Sequence, residues 1–401
     1  MRSSAKRKPA TIATRITAKT SFMQFSFWEQ DTYFSNIDVL IVGSGIVGLN
    51  AALHLKTTQP NLKVIVAERG LLPTGASSKN AGFACFGSPT ELIEDLAHHT
   101  EDEVFGLVER RWKGLQRLRR NLGDKTIDYH RWGGYELFDK SQRDLYEQSI
   151  NQLPYLNKHL QTIVGEPEIY RTADEKIKTF GFREVEHLVE STAEGQIDTG
   201  KMILALTQKV QALGVIIHNN LEIQHLHDEG KTIVATTDKG ITLKARAALV
   251  ATNGFAKQLL PQLQVIPARA QVLITKPIVG LKLKGTFHYD KGYYYFRNIG
   301  DRVLFGGARN LDFKTEETTE AGLTELVQNR LEELLQQVIL PDTPFEVEQR
   351  WSGIMGMGPA KTTIVQPVSE RISCAVRMGG MGVAIGSLVG EEGAELILQQ
   401  L

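Results

Sequence analysis

A glycine-rich turn after a short apolar run constrains this chain of 401 residues more than any other feature. The run at residues 39–42 is Val-Leu-Ile-Val, which is too short for a helix and rich in β-branched side chains. Such a run indicates a strand buried inside a parallel sheet. Gly43, Gly45 and Gly48 follow with G-x-G-x-x-G spacing, and apolar residues then recur with helical period. The segment therefore predicts a strand, a tight turn and a helix.

Each part of this unit has a role in binding a dinucleotide. Gly43 permits the turn, Gly45 lets a pyrophosphate approach the backbone, and Gly48 lets the helix pack closely on the strand. The helix start offers N–H groups and a positive dipole end to the phosphates. A second apolar run, at residues 64–67, ends on Glu68, where a carboxylate is expected to bind the ribose hydroxyls. The alternative is an ordinary glycine-rich turn. The complete order of elements favours dinucleotide binding, and an acid at this position argues against a ribose 2′-phosphate.

The composition is that of a globular enzyme with room for two domain-sized cores. Basic and acidic residues both number 46, so no net field attracts nucleic acid or an anionic membrane. No apolar run approaches the length of a membrane span, and we expect a cytoplasmic protein. Cys85 and Cys374 are far apart, which argues against a disulfide framework, a zinc site or a redox dithiol. His225 and His227 would share a strand face without a third ligand, so we expect no metal site.

The first 22 residues differ from the rest, because they carry six basic residues, no acid and many Ser and Thr. They contain no apolar core, which argues against a secretory signal. An organellar transit peptide, a disordered extension and translation from upstream of a true start at Met23 all fit this composition. We expect residues 1–35 to form a disordered or flexible extension.

The C-terminal end repeats the pattern of the first unit. A strand is expected at residues 372–377, followed by a Gly-Gly-Met-Gly loop and a helix at residues 383–399. This second helix start could hold the polar edge of a flavin ring and stabilise its anionic reduced form. The loop at residues 69–87 is rich in small residues and glycines around an apolar centre. We therefore favour backbone that lies against a flat ligand over a surface loop.

The middle of the chain mixes helices and strands. The sequence predicts one helical region at residues 88–122, a helix at 320–337 with Thr319 as its N-cap, and a strand at 345–351 followed by a glycine-rich loop.

Residues 266–308 are expected to be rich in strands. Alternation along one of these strands places Tyr293 and Tyr295 on one face, with Tyr294 and Phe296 on the other. The sheet either packs on helices alone or presents one face to a pocket.

Four segments in this order resemble the D-amino-acid oxidase, glycine oxidase and sarcosine oxidase (DAO) superfamily of FAD-dependent oxidoreductases. They are the unit from Gly43 to Glu68, GASSKNAG at 75–82, GQIDTGKMILAL at 195–206 and GGMGVA at 379–384. VATNG at 250–254 and RWSG at 350–353 look most like the amine-oxidising branch that includes γ-glutamylputrescine oxidoreductase.

The resemblance implies an α/β (α+β) fold like that of glycine oxidase, with a Rossmann-like FAD-binding domain and an inserted antiparallel-sheet domain. The FAD-binding domain would comprise residues 36–95, 190–265 and 346–401. The substrate-binding domain would comprise residues 96–189 and 266–345.

The resemblance also assigns cofactor residues, and it implies that FAD is bound non-covalently, because Gly353 stands where sarcosine oxidases tether the flavin to a cysteine. The implied cofactor-binding residues are Gly43, Ser44, Gly45, Ile46, Val47, Gly48, Glu68, Arg69, Ser77, Lys79, Asn80, Ala81, Gly82, Ala251, Thr252, Gly254, Gly353, Gly380, Met381, Gly382 and Val383.

The chemistry implied is oxidation of the C–N bond of an amine or an N-substituted amino acid. Hydride leaves the α-carbon for flavin N5, the imine hydrolyses, and oxygen or another acceptor takes the electrons. Positioning could suffice without a side-chain base, so no catalytic residue is assigned. The candidates for substrate contact are Cys85, Tyr293, Tyr295, Arg297 and Met355. Arg309 could bind a carboxylate or lie at the surface.

Two other classes of protein remain as alternatives. A pyridine-nucleotide:disulfide reductase needs a second glycine-rich nucleotide motif and a dithiol, and the sequence has neither. A non-catalytic or regulatory flavin-binding protein with the same fold would keep the cofactor residues without the chemistry.

Overall fold

The strands fall into two large sheets and one short pair in the computed structural model, which describes residues 24–401. In chain order they are β1 Ile37–Val42, β2 Val64–Ala67, β3 Phe83–Ala84, β4 Gly134–Asp139, β5 Tyr170–Thr172, β6 Val185–Ser191, β7 Gly195–Gln196, β8 Ile216–His218, β9 Ile223–Asp228, β10 Ile233–Thr237, β11 Thr242–Val250, β12 Ile266–Thr275, β13 Thr286–Tyr289, β14 Tyr294–Ile299, β15 Arg302–Gly307, β16 Val347–Met357, β17 Ile364–Pro367 and β18 Ile372–Val376.

The first sheet is built around β1, in the order β17-β18-β11-β1-β2-β8, and β10 and β9 extend it beside β11. β1 runs parallel to β2 and β11, and β18 runs parallel to β11. Val39 and Ile41 face a layer of helices, whereas Leu40 and Val42 pack on the opposite side with residues of β9 and β10. Because both faces of β1 are buried, its sequence is continuously apolar.

The second sheet has the order β16-β12-β15-β14-β13-β4-β6-β5. Its pairs are antiparallel except for β13 beside β4. Tyr294 and Phe296 are buried on one face with Leu331 and Leu334 of a covering helix. The opposite face of β14, which carries Tyr293 and Tyr295, turns toward a cavity beside the first sheet. The two faces predicted by the alternation are therefore both present: one packs on helices and the other lines a pocket.

Most of the longer helices cover the first sheet and the outside of the second. Two of them approach closely where glycines replace larger side chains, since a Cβ on Gly390 would press on the Val47 carbonyl. The helices are α1 Phe27–Glu29, α2 Ile46–Thr58, α3 Ala76–Lys79, α4 Pro89–Leu96, α5 Glu101–Leu122, α6 Arg143–Val164, α7 Ile177–Phe180, α8 Thr199–Ala212, α9 Phe313–Glu316, α10 Glu325–Leu334 and α11 Gly382–Gln400. No helix in this described part of the chain is both long and apolar enough to cross a membrane.

Three predicted elements have different bounds in the structure. The single helical region at 88–122 is two helices, because Thr100 starts α5 with a capping box that pairs it with Glu103. The helix expected from residue 320 begins at Glu325, with Thr324 as its N-cap. The glycine-rich loop expected after residue 351 is a continuation of β16.

The N-terminal extension expected at residues 1–35 is only partly described. Residues 1–23, which include the basic segment, lie outside the described residues. Residues 27–34 form α1 and one further helical turn, and the Phe34 ring stacks on His218 at 5.1 Å. The described part of the expected extension is therefore folded onto β8.

The proposed domain boundaries can be compared with the sheets but stay a prediction. β16, placed by the sequence in the cofactor domain, pairs with β12 in the second sheet. β17 and β18 join the first sheet as expected for that domain.

Candidate active site

A cavity of about 660 Å³ lies between the carboxyl ends of the parallel strands and the open face of the second sheet. Loops after the carboxyl ends of parallel strands are the usual ligand site of such sheets. Most of the predicted site residues line it, and four do not: Ser44, Gly48, Gly254 and Arg297. Those that line it are Gly43, Gly45, Ile46, Val47, Glu68, Arg69, Ser77, Lys79, Asn80, Ala81, Gly82, Cys85, Ala251, Thr252, Tyr293, Tyr295, Gly353, Met355, Gly380, Met381, Gly382 and Val383.

The glycine turn after β1 forms the floor at one end of the cavity. Gly43 has a φ of +104°, a conformation that favours glycine. The N-cap of α2 is Gly45, which has no side chain to cap the helix. A Cβ on Gly48 would overlap the Gly43 carbonyl oxygen, so Gly48 serves helix packing and lies behind the wall. The Ile46 N–H donates to Ser77 Oγ at 2.9 Å, which joins the turn to α3.

Glu68 is buried at the end of β2, and its own chain orients the carboxylate. Oε2 accepts from the Ser44 N–H at 3.1 Å and from the Ser44 hydroxyl at 2.8 Å, while Oε1 accepts from the Gly70 N–H at 2.9 Å. Ser44 therefore holds Glu68 from behind the wall. Beside it, the Arg69 guanidinium lies 3.6 Å from the centroid of the Phe255 ring, which also lines the cavity.

The loop from α3 to β3 forms the middle of the wall. Its backbone is held from outside, because Trp351 Nε1 donates to the Lys79 carbonyl at 3.0 Å. Gly353 faces Lys79 so closely that an added Cβ would lie 3.1 Å from the Lys79 Cβ.

Arg297 lies behind this loop and away from the cavity. Its guanidinium donates to the carbonyl oxygens of Ala81 and Ile197, the latter at 2.9 Å. Burial lowers the pKa of Arg297 to about 10. Its position supports a role in fixing the loop, so we withdraw it from the candidates for substrate contact.

A second helix start faces the cavity from the C-terminal end of the chain. α11 begins at Gly382 with no side-chain cap, and Gly380, Met381 and Val383 line the cavity around it. Gly254 packs behind this region, where an added Cβ would lie 2.6 Å from the Met355 carbonyl oxygen.

These features fit FAD. Two helix starts, an oriented carboxylate and a glycine turn face one cavity, and the buried Thr252 Oγ1 in its wall has no hydrogen-bond partner among the described residues. Helix starts favour the pyrophosphate and other anionic groups of such a ligand.

The wall formed by the second sheet is largely uncharged. Tyr295 and His288 are opposite each other in neighbouring strands, and the Phe83 ring lies 5.8 Å from the Tyr295 ring and 5.2 Å from the His288 ring. Burial raises the pKa of Tyr295 to about 12 and lowers that of His288 to about 4, so both are neutral at pH 7. Burial likewise raises the pKa of the Cys85 thiol. Met355 completes an apolar and aromatic surface.

Arg309 brings a positive charge to this wall. It follows β15 and is partly buried, and no hydrogen-bond or ion-pair partner is found for it among residues 24–401. Burial lowers its pKa, although an arginine stays charged at neutral pH. Its guanidinium lies 4.7 Å from the centroid of the Phe313 ring. Glu316 acts on this charge only at a distance, and a desolvated guanidinium without a hydrogen-bonded acid favours an anionic ligand.

A charged group closes another part of the wall. Lys361 Nζ lies 2.7 Å from Asp95 and 3.3 Å from Glu91. Burial opposes ionisation of Glu91, but Arg111 and Lys361 hold its pKa at about 2. Sequence reasoning missed Lys361, Phe255 and His288, because no local motif marks them. Among the described residues, no group of three or more His, Cys, Asp or Glu side chains could hold a metal ion.

A family model described as "FAD dependent oxidoreductase" (DAO) matches residues 38–396. The bifunctional protein ThiO/ThiG of Synechocystis is 27% identical over 296 residues, which are 71% of this chain and 40% of that protein. The chain thus spans only about two fifths of that relative. The γ-glutamylputrescine oxidoreductase of Escherichia coli is 23% identical over 376 residues, or 90% of this chain and 83% of that protein.

The fold is also found among solved structures. Glycine oxidase from Geobacillus kaustophilus superposes with a TM-score of 0.72 at 20% identity, over 90% of this chain and 94% of that one. The combination of a parallel and an antiparallel sheet expected from the sequence is therefore confirmed.

Proposed function

Since this chain belongs to the DAO family of FAD-dependent oxidoreductases, we propose that it oxidises the C–N bond of an amine that also carries a carboxylate. The observation that carries the substrate class is the partly buried, unpaired guanidinium of Arg309 in the described cavity wall. The names of the relatives support an amine or amino acid as the substrate, since they include a γ-glutamylputrescine oxidoreductase and a D-amino acid dehydrogenase.

The cofactor is assigned to the end of the cavity between the two helix starts. Gly45 and Val47 would receive the pyrophosphate, Glu68 the ribose hydroxyls, and Gly382 and Val383 the flavin. When bound, FAD supplies the acceptor for the hydride that leaves the α-carbon of the amine.

The second sheet is assigned to the substrate. Arg309 would bind the carboxylate, and the neutral surface of Tyr295, His288 and Met355 would exclude water around the reacting carbon. The amine loses a hydride from carbon and a proton from nitrogen to become an imine, which water hydrolyses. Oxygen or another acceptor completes the cycle, and a cytoplasmic location stays a prediction.

Matched pairs of compounds test the proposal. Each pair contains an α-amino acid and the amine left when its carboxylate is removed, for example alanine with ethylamine. Mixed anaerobically with the flavin-loaded protein, the carboxylated member should bleach the flavin absorbance at a concentration roughly tenfold to a hundredfold lower, as expected for a charged hydrogen bond. The same pairs with oxygen present report whether oxygen is the acceptor.

Two variants test whether Arg309 causes the preference for the carboxylated compound. Arg309→Met should remove the difference within each pair, whereas Lys291→Met removes an exposed positive charge that also lines the cavity and should leave the difference intact. An equal effect of both variants would mean that general charge, and not Arg309, attracts the substrate. Bleaching by none of a broad set of amines would favour a non-catalytic flavoprotein.

A further inference from the structure

Residues 308–324, called here the cap segment, connect β15 to α10 and cover the substrate side of the cavity. The segment leaves the sheet through Gly307 and Ala308, which have φ values of +128° and +59°. This turn brings Arg309 to the cavity wall. Phe313, four residues later, lies over Arg309 and against Tyr293, with ring centroids 6.2 Å apart.

One buried carboxylate anchors the cap segment. Glu316 is only 1% exposed, and its oxygens accept from Arg269 Nε at 2.8 Å and Nη2 at 3.1 Å. Oε1 also accepts from Gln271 Nε2 at 2.8 Å and from Thr324 Oγ1 at 3.2 Å. Arg269 and Gln271 belong to β12, and Thr324 is the last residue of the segment. Glu316 therefore joins the middle of the segment, its far end and the sheet.

The apolar side chains of the cap segment contribute little anchoring. Leu311, Phe313 and Leu323 are 41%, 46% and 46% exposed, so much of their surface stays in water. A segment with few buried apolar contacts opens locally at low cost unless polar contacts hold it. The position of Arg309 consequently depends on polar contacts. Single backbone N–H bonds from Ala308, Gly322 and Thr324 reach the sheet, and Glu316 supplies the buried charged contact among them.

We propose that Glu316 is a positioning residue for carboxylate recognition, which fixes the cap segment so that Arg309 is held in place for the substrate. This inference rests on the proposed function. Glu316 itself does not line the cavity, and Arg269 balances its charge.

The charge of Glu316 and its anchoring role predict opposite effects of its removal. If only charge mattered, Glu316→Gln would leave Arg269 unbalanced and would attract an anionic substrate more strongly, which lowers KM. If Glu316 positions Arg309, the same variant loosens the cap segment and raises KM. The direction of the change decides between the two.

The experiment measures each member of a matched pair with wild type, Glu316→Gln and Glu332→Gln. Glu332 is the control, because it pairs with Arg350 at 2.7 Å next to the same sheet and has no hydrogen bond or ion pair to the cap segment among the described residues. We expect Glu316→Gln to raise KM for the amino acid roughly tenfold, on the scale of one charged hydrogen bond, with KM for the decarboxylated amine unchanged. Propionate, titrated against the oxidised flavin absorbance, should lose affinity by the same factor without any turnover.

Thr324→Val provides a milder variant if Glu316→Gln does not fold, since it removes one hydroxyl donor and keeps the Arg269 pair. It should raise KM for the amino acid and weaken propionate binding, each by a smaller factor than Glu316→Gln. A lower KM, or an unchanged propionate affinity with a lower melting temperature, would overturn the inference. A wild type without preference for the carboxylated member would instead contradict the proposed function.

Discussion

Glu68 shows at the residue scale how a chain prepares a ligand contact in advance. Three donors from Ser44 and Gly70 fix its carboxylate at the edge of the cavity. A carboxylate held this way can accept from ribose hydroxyls without losing side-chain freedom on binding.

We expect Glu68→Gln to weaken FAD binding more than it weakens the fold. The amide accepts more weakly and turns an NH₂ toward one of the existing donors, and a charged hydrogen bond contributes roughly 1.5–3 kcal/mol. Titration of the apoprotein with FAD should show an affinity lower by roughly tenfold or more. Glu222→Gln, which alters another carboxylate lining the same cavity, should leave the affinity unchanged. Equal affinities for wild type and Glu68→Gln would refute the assignment.

Arg297 in β14 and Arg309 after β15 mark the limit of residue-level prediction. Arg297 is a predicted substrate contact, and it alternates in step with Tyr293 and Tyr295. The strand carries it past the cavity to the carbonyls of Ala81 and Ile197, far away in sequence. The role of Arg309 depends on how residues 308–324 fold back, and no local pattern reports that.

At the scale of elements, the start of α11 predicts how a negative charge placed at Gly382 would affect flavin binding. A Cβ on Gly382 would meet its nearest neighbour, the Met378 Cβ, at 3.7 Å, which is ordinary contact, so Gly382→Ala should be mild. An aspartate in a first helical turn normally stabilises the helix. A loss in Gly382→Asp beyond that in Gly382→Ala would therefore indicate its charge near the ligand.

The expected result for Gly382→Asp is poor FAD binding, or a more negative reduction potential with slower reduction by amines. Like charges at close range disfavour each other, and negative charge develops on the flavin during reduction. Flavin content and potential, measured for both variants, provide the test. Equal damage from alanine and aspartate would point to sterics, and normal values in both would separate this helix start from the flavin.

Elements with local signals were predictable, and those fixed by distant partners were not. β1, α2 and β2 follow from one continuous pattern, and α5 had an unused start signal in Thr100 and Glu103. The glycines of β16 suggested a loop. They are strand residues at positions where neighbouring side chains leave no room for a Cβ. A Cβ on Gly356, for example, would lie 2.5 Å from Asn253 Oδ1.

For the whole molecule, the positions of the two cysteines predict that FAD is not tethered through a cysteine. Gly353 lines the cavity without a side chain, and Cys374 lies in β18 outside the cavity wall. Cys85 lines the cavity, but burial raises the pKa of its thiol, which suppresses the reactive thiolate. Acid precipitation of the yellow protein should therefore release intact FAD into the supernatant. Flavin that stays in the protein pellet would contradict this prediction.

The order of strands in the first sheet has a consequence for how the protein is made. β1 carries the glycine turn, yet its neighbour β11 is synthesised some two hundred residues later, and β18 and α11 come last. Val47 and Leu49 of α2 are buried in one cluster with Val383 and Val389 of α11. A chain still on the ribosome thus exposes the apolar face of α2 and has only one of the two helix starts, a state prone to aggregation. We therefore expect FAD to bind late in synthesis, and a chain that stops before α11 to lose the flavin together with the helix.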